Sequence, residues 1–482
     1  MTKRIIFLIL WGSILLFSPV LYSQCPQCST VRPTQSAPFN IRYFQFNLGV
    51  SGARANSLGG AFIGVADDAT AATTNPAGLT MLTRLETSVH IRPRRTEISE
   101  LAANRKQWDE RKDYSHFQTD LAYGDIVVPF KKLTFAGYWD VVTKAENHFE
   151  YQQFSTPEFA DPDTLKLHHI LQGIGNIPGR KAHYDLQVIN IGLAAAYPFS
   201  FYAMSLGFSF QVTKLDFYLS ETQYYDASLL QNKFDTPTGF ENTPQNVYSV
   251  RTIDDTDWAV SYTLGLLLKP HARLSVGLVY NRRPELKVLS EIFFPDYFLQ
   301  NNECYLPATA ENETIILKLP DSYGIGLYYR LTDWLRISTD VVRIEYSDIS
   351  NNKLTDLVQA NPDSGIYKIP DGISDLKIDN AIEFHFGVEY LMSFKKLKLA
   401  LRGGLYTDPF HLAYAINDNT MLKTLFPKKQ EDDNLNVDIV GLVWHYSAGC
   451  GIGINDVIMD ICAKLSTHLV ESELIFSLGI RL

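Results

Sequence analysis

Apolar and polar residues alternate with a period of two along most of the chain after residue 84. In the segment 382–390, one face carries the apolar side chains Ile382, Phe384, Phe386, Val388 and Tyr390. The opposite face carries Glu383, His385, Gly387 and Glu389. The segment 474–482 repeats the pattern. This alternation predicts half-buried β-strands.

Fourteen such segments are predicted, and their connections alternate between short turns and polar stretches of about 20 to 35 residues, far longer than usual. A β-sandwich also alternates, but it does not predict this two-sided asymmetry. An even strand number with short turns at one end is typical of an outer-membrane barrel, because backbone groups in lipid must all be paired. The predicted strands lie near 84–98, 117–129, 132–147, 183–197, 201–218, 255–269, 272–288, 313–330, 333–350, 380–393, 396–410, 439–453, 456–469 and 471–482.

The composition agrees with an all-β transmembrane antiparallel barrel. Aromatic residues make up 12% of the 482 residues, including 26 Tyr and 28 Phe. Such residues form the girdles of membrane barrels. The net charge of −10 argues against nucleic acid as a partner.

The first residues predict an export signal. Lys3 and Arg4 precede an apolar run, and Ser23 stands at a plausible cleavage point. We therefore expect a signal peptide at 1–23, an N-terminal arm at 24–48, and a location in the outer membrane of a Gram-negative bacterium. Cys25 and Cys28 favour a local disulfide over metal or redox chemistry. A lipid anchor on Cys25 is an alternative to plain removal of the signal, and the bulky Gln24 disfavours it.

The segment Gly52–Leu79 is rich in small residues and nearly uncharged apart from Arg54, Asp67 and Asp68. It is a poor strand and a poor surface helix, whereas small residues and glycines permit close packing and sharp turns in a confined space. A barrel of about fourteen strands leaves such a space. We expect residues 49–83 to form a hatch, built of short helices and turns, inside a barrel formed by residues 84–482.

The segment, the barrel and their order resemble the FadL/TodX family of outer-membrane transporters for long-chain fatty acids and aromatic hydrocarbons. The resemblance is carried by Ala66-Asp67-Asp68-Ala69 and Asn75-Pro76-Ala77-Gly78-Leu79, with further matches at 319–340, 402–408 and 445–451. It implies fourteen strands, a hatch closing the lumen, and passive passage of a hydrophobic solute. It also implies sideways release at a kink in the third strand, for which Gly137 is a candidate. The alternative is that this glycine merely fits beside a large neighbour.

Candidate site residues fall into two groups. In the hatch, Asn75, Pro76 and Ala77 favour a structural turn over a ligand gate. Asp67 and Asp68 could pair with lumen cations such as Arg336, Arg402 or Arg481, or cap a short helix. The residues expected to line the lumen are Arg336, Asp340, Glu383, His385, Glu389, Arg402, Asp460, Lys464 and Arg481.

The sequence predicts no enzyme, cofactor or metal site. Gly449–Gly453 lies in a strand and lacks the helix that a nucleotide loop requires. We expect membrane lipid and a hydrophobic small molecule as partners, collected by aromatic loops at 219–254 and 289–312. The alternative function is a hatch-bearing barrel that serves as a surface-attachment or shuttle component of a protein-secretion system and binds a secreted partner.

Overall fold

The structure is a computed structural model. It describes residues 50–101, 111–151, 154–155, 176–177, 179–199, 203–224, 247–294, 297–299, 304–306, 308–350, 376–377, 380–409, 414–415, 442–466 and 472–482. The predicted signal peptide, the arm with Cys25 and Cys28, and the loop aromatics Tyr225, Phe234 and Phe240 lie outside the described residues.

The described chain is almost entirely β-structure after residue 85. In chain order the strands are β1 Glu86–Leu101, β2 Arg111–Phe130, β3 Leu133–Tyr151, β4 Phe154–Ser155, β5 Asn176–Ile177, β6 Gly179–Phe199, β7 Met204–Tyr224, β8 Val247–His271, β9 Leu274–Arg282, β10 Glu285–Phe294 and β11 Tyr297–Leu299. They continue with β12 Cys304–Leu306, β13 Thr309–Lys318, β14 Ser322–Arg330, β15 Leu335–Ile344, β16 Leu376–Lys377, β17 Ala381–Phe394, β18 Leu397–Pro409, β19 Tyr414–Ala415, β20 Leu442–Ile454, β21 Val457–Ser466 and β22 Ser472–Arg481.

Fourteen of these strands close into an antiparallel ring, which confirms the predicted barrel. The order around the ring is β1, β2, β3, β6, β7, β8, β9, β14, β15, β17, β18, β20, β21 and β22. The ring closes because β1 pairs with both β2 and β22. Two-residue turns join several hairpins at one end, and their first residues Lys131, Lys395 and Asn455 have positive φ, as tight β-hairpins require.

The structure corrects the prediction at two strands, each of which was expected to be continuous. The segment predicted at 272–288 is broken into β9 and β10, and the segment predicted at 313–330 is broken into β13 and β14. Pro284 and Pro320 stand at the two breaks. Proline lacks the N–H that a ladder needs, so it ends regular pairing there. The short helix Ser347–Ser350 likewise ends the strand predicted at 333–350 earlier than expected.

The outer surface of the ring is apolar. Large side chains such as Leu193, Val260, Ile325, Phe384 and Phe476 lie on it and are at least 41% exposed. Near the short turns this surface ends in the exposed aromatic side chains of Phe130, Phe199, Trp334, Tyr390 and Phe394, as a membrane-interface girdle does. Among the described residues, the helices are all too short or too polar to cross a membrane.

Residues 50–82, called the hatch from here on, lie inside the ring. They form helix α1 Ala53–Ser57, helix α2 Ala71–Thr74 and the 3-10 helix Pro76–Met81. Most apolar hatch side chains are buried, and those of Phe62 and Leu79 are completely buried, whereas Met81 at the end of the hatch is exposed. Part of the hatch packs on β2, β3 and β6 through a cluster that includes Tyr123 and Tyr138. A segment whose residues are too small to favour a strand thus fills the interior of the barrel.

Candidate functional site

The hatch fits the wall because the wall carries glycines where the two meet. A Cβ placed on Gly404 would lie 2.0 Å from Gly59 N, and one on Gly265 would lie 2.2 Å from Asn75 Oδ1. Real Cβ atoms do not approach other atoms so closely, so only glycine allows the hatch backbone to lie against these strands. The contact surface is therefore specified on both sides, by small residues in the hatch and glycines in the wall.

Asn75, Pro76 and Ala77 form the tightest part of this contact. The Asn75 Oδ1 atom accepts from Ala77 N at 3.2 Å and so caps the 3-10 helix. Its Nδ2 donates to Ile63 O at 2.9 Å within the hatch and to Leu266 O at 3.2 Å in β8. The side chain is fully buried and all its polar atoms are used. This geometry describes a structural turn that joins the hatch to the wall.

Asp67 and Asp68 pair within the hatch, which corrects the partners expected from the sequence. Both carboxylates contact Arg54 Nη1, and the Asp68 contact measures 3.2 Å. Asp68 Oδ1 also accepts from Thr70 N at 3.0 Å, one residue before α2 begins. Neither aspartate contacts Arg336, Arg402 or Arg481 in the described ion pairs. The sequence did not identify their partner Arg54, although it lies in the same segment of small residues.

Arg54 also contacts the barrel wall, and a chain of ion pairs that starts at this contact connects the hatch to four strands. Its Nε lies 3.2 Å from Glu389 Oε1 on β17. Glu389 is also contacted by Arg402 on β18 at 2.8 Å and by Arg336 on β15 at 3.2 Å. Arg402 in turn contacts Asp460 on β21 at 2.6 Å. We call these residues with Asp67 and Asp68 the hatch ion network.

The hatch ion network is buried, so its charges are stabilised mainly by one another. The side chain of Glu389 is 4% exposed and that of Arg54 is 15% exposed. Burial lowers the pKa of Arg54, but the charges of Asp67, Glu389 and Asp68 outweigh it and hold that pKa well above its ordinary value. A buried charge that loses its partner is costly. The network therefore favours the seated position of the hatch.

Asp340 and His385 bind the hatch backbone on the same side. Asp340 Oδ2 accepts from Phe62 N at 2.7 Å and from Ile63 N at 2.8 Å. His385 Nδ1 lies 2.7 Å from Gly59 O, and its Nε2 lies 3.2 Å from Glu383 Oε2. Both residues were expected to line the lumen. In this structure they hold the hatch, so they face protein and not an open channel.

Lys464 and Arg481, two of the other residues expected to line the lumen, form ion pairs between neighbouring strands. Lys464 Nζ lies 3.2 Å from Glu473 Oε2. Arg481 Nε lies 2.6 Å from Glu86 Oε2, next to the closure of the ring. Neither lies in the hatch ion network. The lumen candidates thus divide into hatch anchors and pairs between neighbouring strands.

A gap in the ladder lies between β2 and β3. The two strands pair from Phe130 and Leu133 only as far as Tyr123 and Asp140. Beyond that point each stays paired with its other neighbour, β1 or β6. Within the gap, Lys144 Nζ lies 3.4 Å from Asp120 Oδ1 across the two strands.

The irregularity in β3 lies at Val142 and not at the expected Gly137. The register between β3 and β6 shifts between Val141 and Thr143, so Val142 is the extra residue of a bulge. Gly137 pairs regularly with Ile126 and Leu193. A Cβ there would lie 3.7 Å from Leu193 Cδ2, an ordinary contact. A bulge bends a strand without needing glycine, so its position carries no signal in this sequence.

The described residues include no group of three or more His, Cys, Asp or Glu side chains that could hold a metal ion. The buried charged groups of the site are instead engaged in the ion pairs and backbone contacts described above. The arrangement fixes a plug in a barrel and lies beside the interrupted ladder between β2 and β3.

Solved structures share this architecture. The chain resembles a Pseudomonas aeruginosa FadL homologue with a TM-score of 0.55 and 13% identity, over 90% of this chain and 99% of that one. It resembles the Pseudomonas putida toluene transporter TodX with a TM-score of 0.53 and 12% identity, over 90% of this chain and 98% of that one. The Ralstonia pickettii toluene transporter TbuX gives a TM-score of 0.50 and 14% identity, over 91% of this chain and 100% of that one. At these identities the likeness shows the fold alone.

No curated protein matches the sequence. A family model does match it, over residues 175–416, which is half of the chain. That family is described as outer membrane protein transport protein (OMPP1/FadL/TodX). The match agrees with the closed barrel, the apolar outer surface and the hatch. The chain therefore belongs to the FadL/TodX family of outer-membrane transport proteins, and its barrel lies in the outer membrane of a Gram-negative bacterium.

Proposed function

We propose that the protein carries hydrophobic small molecules, namely long-chain fatty acids or aromatic hydrocarbons, passively across the outer membrane. The observation that supports this most directly is the gap between β2 and β3 above a seated hatch. The hatch blocks the lumen towards the end with the short turns, which is the periplasmic end in such barrels. A solute that enters from outside then has the gap as its way out.

The surroundings of the gap suit an apolar solute. Phe117 and Leu121 of β2 lie beside it on the outer surface and are 69% and 51% exposed. On the inner side Val142 is buried in an apolar cluster. The free energy of a hydrophobic molecule falls when it passes from water into such surroundings and then into lipid. Sideways release into the bilayer therefore needs no energy source.

The structural relatives support the aromatic class of ligand. TodX and TbuX are both toluene transporters, and CymD, with a TM-score of 0.51 and 14% identity, is a monoaromatic hydrocarbon channel. The family resemblance supports fatty acids equally, so both classes belong in the test. No described contact favours the alternative of a surface-attachment component that binds a secreted protein.

The test is uptake by a Gram-negative strain that lacks its own transporters of this family. We expect cells producing this protein to take up labelled oleate or labelled toluene faster than cells with an empty vector. A hydrophilic sugar of similar size controls for leakage, and its uptake should not change. Equal uptake of both hydrophobic compounds with and without the protein would overturn the proposal, and stoichiometric co-purification of a secreted protein would favour the alternative.

A further inference from the structure

The polarity of the wall reverses partway along β6, β7 and β8, and the reversal marks where the barrel leaves the lipid. Trp258 lies at this level on the outer surface, 53% exposed, with Lys214 Nζ 5.6 Å from its ring centroid. An exposed tryptophan beside a long cationic side chain is typical of a membrane interface. Nearer the short turns the outward side chains of these strands are apolar. Beyond Trp258 the outward side chains are polar, namely Gln187, Asp216 and Thr256, and the buried inward ones are apolar, namely Leu186, Val188, Leu215, Phe217, Leu219 and Ile253.

On three strands the apolar outward run ends on a cation, at the end of the barrel away from the short turns. Alternate residues of a strand share a face, so each of these cations is the first charged group beyond the apolar band of the outer surface. The last apolar or aromatic residue and the cation that follows it are Val212 and Lys214 on β7, Tyr280 and Arg282 on β9, and Val341 and Arg343 on β15.

Arg282 and Arg343 adjoin a stacked pair of tyrosines. Tyr280 of β9 is paired with Tyr323 of β14, and Tyr323 is paired with Arg343 of β15. The two tyrosine ring centroids are 4.9 Å apart, with 25° between the ring planes. Neighbouring strands lie about 4.8 Å apart, so the backbones of Tyr280 and Arg343 are separated by about 10 Å. We call Tyr280, Arg282, Tyr323 and Arg343 the interface cluster.

Acidic side chains hold both arginines without covering them. Arg282 Nη1 lies 2.5 Å from Asp321 Oδ2, and Arg343 Nε lies 2.8 Å from Glu345 Oε1. The side chains of the two acids are 5% and 19% exposed, whereas those of the arginines are 49% and 57% exposed. A guanidinium group has five N–H donors, and one carboxylate engages only part of them. Each arginine is therefore oriented by its acid and has donors left for a further anion.

Asp321 is shared among several groups at the base of the interface cluster. Besides Arg282, it contacts Lys318 Nζ at 3.1 Å. Its Oδ2 atom also accepts from the Tyr280 hydroxyl at 3.3 Å. One buried carboxylate thus fixes the positions of an arginine and a tyrosine whose side chains face the membrane boundary.

We propose that the interface cluster binds the phosphate group of a lipid of the outer leaflet. Arg282 and Arg343 donate to the phosphate oxygens, because a guanidinium group matches the geometry of a phosphate. Cations at a membrane surface are typical of anionic-lipid sites. The site lies on the outside of the barrel, so it is separate from the route of the transported solute and does not depend on the proposed function.

The surroundings of the two arginines favour a lipid over a free phosphate ion. On the same strands, Leu278 and Ile325 are the next outward residues towards the short turns, and they are 40% and 46% exposed. With the two tyrosines they offer an apolar surface to hydrocarbon chains directly below the cations. A molecule that carries both a phosphate group and hydrocarbon chains can use both surfaces at once, whereas a phosphate ion can use only the arginines.

Native mass spectrometry of the full chain in detergent provides the test. The probes are diphosphoryl lipid A and the same lipid after removal of its phosphates. We expect the unmodified protein to bind the diphosphoryl form, and the affinity to fall by about fivefold for each arginine changed in Arg282→Gln with Arg343→Gln. The matched control is Arg84→Gln, since Arg84 is also 57% exposed and paired with an acid, Asp456, but lies at the end with the short turns. This control should leave the affinity unchanged.

Three outcomes would overturn the proposal. They are an unchanged affinity in the double variant, an equal fall in Arg84→Gln, and equal binding of the dephosphorylated lipid. Displacement of the lipid by an equal concentration of inorganic phosphate would indicate a site for the free ion and would also contradict it. Arg343→Gln alone covers the case in which the double variant does not fold, because Glu345 keeps its contact with Asn380 Nδ2 and Asp321 keeps Arg282.

Thermal unfolding in nanodiscs provides a second test. A ligand that binds only the folded state raises its unfolding temperature. We expect diphosphoryl lipid A in the nanodisc to raise the unfolding temperature of the unmodified protein and of Arg84→Gln, and to raise that of Arg343→Gln by less. An equal rise in all three proteins would contradict binding at the interface cluster.

Discussion

Arg54 of the hatch and Glu389 of the barrel wall form an ion pair, with Arg54 Nε 3.2 Å from Glu389 Oε1 and both side chains largely buried. The pair joins residues 335 positions apart in the sequence. Glu389 also neutralises Arg336 and Arg402. One carboxylate therefore contacts three cations and couples the hatch to the wall, while Asp67, Asp68 and Asp460 supply the remaining negative charge.

Replacing Glu389 by glutamine removes this charge and leaves the arginines without their common partner. We expect the free energy of unfolding to fall by about 3–5 kcal/mol, the usual cost of removing one partner of a buried ion pair. The effect should centre on Arg336, because Arg54 keeps Asp67 and Asp68 and Arg402 keeps Asp460. Urea titration from lipid vesicles measures it. The control is Asp456→Asn, which breaks the exposed pair with Arg84 and should cost about 0–1 kcal/mol. Equal effects of the two substitutions would contradict the role of the network.

Gly404 and Gly403 are neighbours with opposite environments. A Cβ at Gly404 would meet Gly59 N at 2.0 Å, whereas one at Gly403 would meet nothing within 4 Å. We expect Gly404→Ala to displace the hatch and lower the free energy of unfolding by about 1–3 kcal/mol. Gly403→Ala should be nearly neutral. Single-channel recording should also show ion leakage for Gly404→Ala alone. A Gly404→Ala barrel that neither leaks ions nor loses stability would contradict the close fit of the hatch against Gly404.

Asn75→Ala should loosen the hatch from β8. The substitution removes the cap of the 3-10 helix and leaves the buried carbonyl of Ile63 and the partly buried carbonyl of Leu266 without this donor. We expect a loss of about 1–3 kcal/mol and faster hydrogen exchange of the hatch. Asn75→Asp keeps the acceptor for Ala77 N but loses the donor, so it separates the two contributions. Normal exchange in Asn75→Ala would show that the turn holds without its side chain.

The sequence was sufficient for the barrel because lipid imposes a simple rule on each strand. Segments such as 382–390 must present one apolar face, so their alternation could be counted. The hatch was predictable because Gly52–Leu79 suits no other structure. Where the strands extend beyond the lipid, the alternation no longer shows which face of a strand points outward. Above Trp258 the same alternation continues with its faces exchanged, and period-two counting cannot distinguish the two cases.

The contacts of the site depend on tertiary placement, which the sequence does not encode locally. Nothing near Asp67 predicts that Arg54 and not Arg402 is its partner, because both were available cations. The bulge at Val142 has no glycine or proline to mark it. The breaks at Pro284 and Pro320, by contrast, had a signal, since proline within a strand predicts an interruption.

Deletion of Val142 most directly tests the central claim, that hydrophobic solutes leave sideways above a closed hatch. Removing the extra residue should straighten β3 and allow its ladder with β2 to continue past Tyr123 and Asp140. Hydrogen exchange of the Leu121 amide would confirm closure. We predict that uptake of labelled oleate and toluene then falls to the level of cells without the protein. Full uptake through a barrel whose Leu121 amide has become protected would contradict the account.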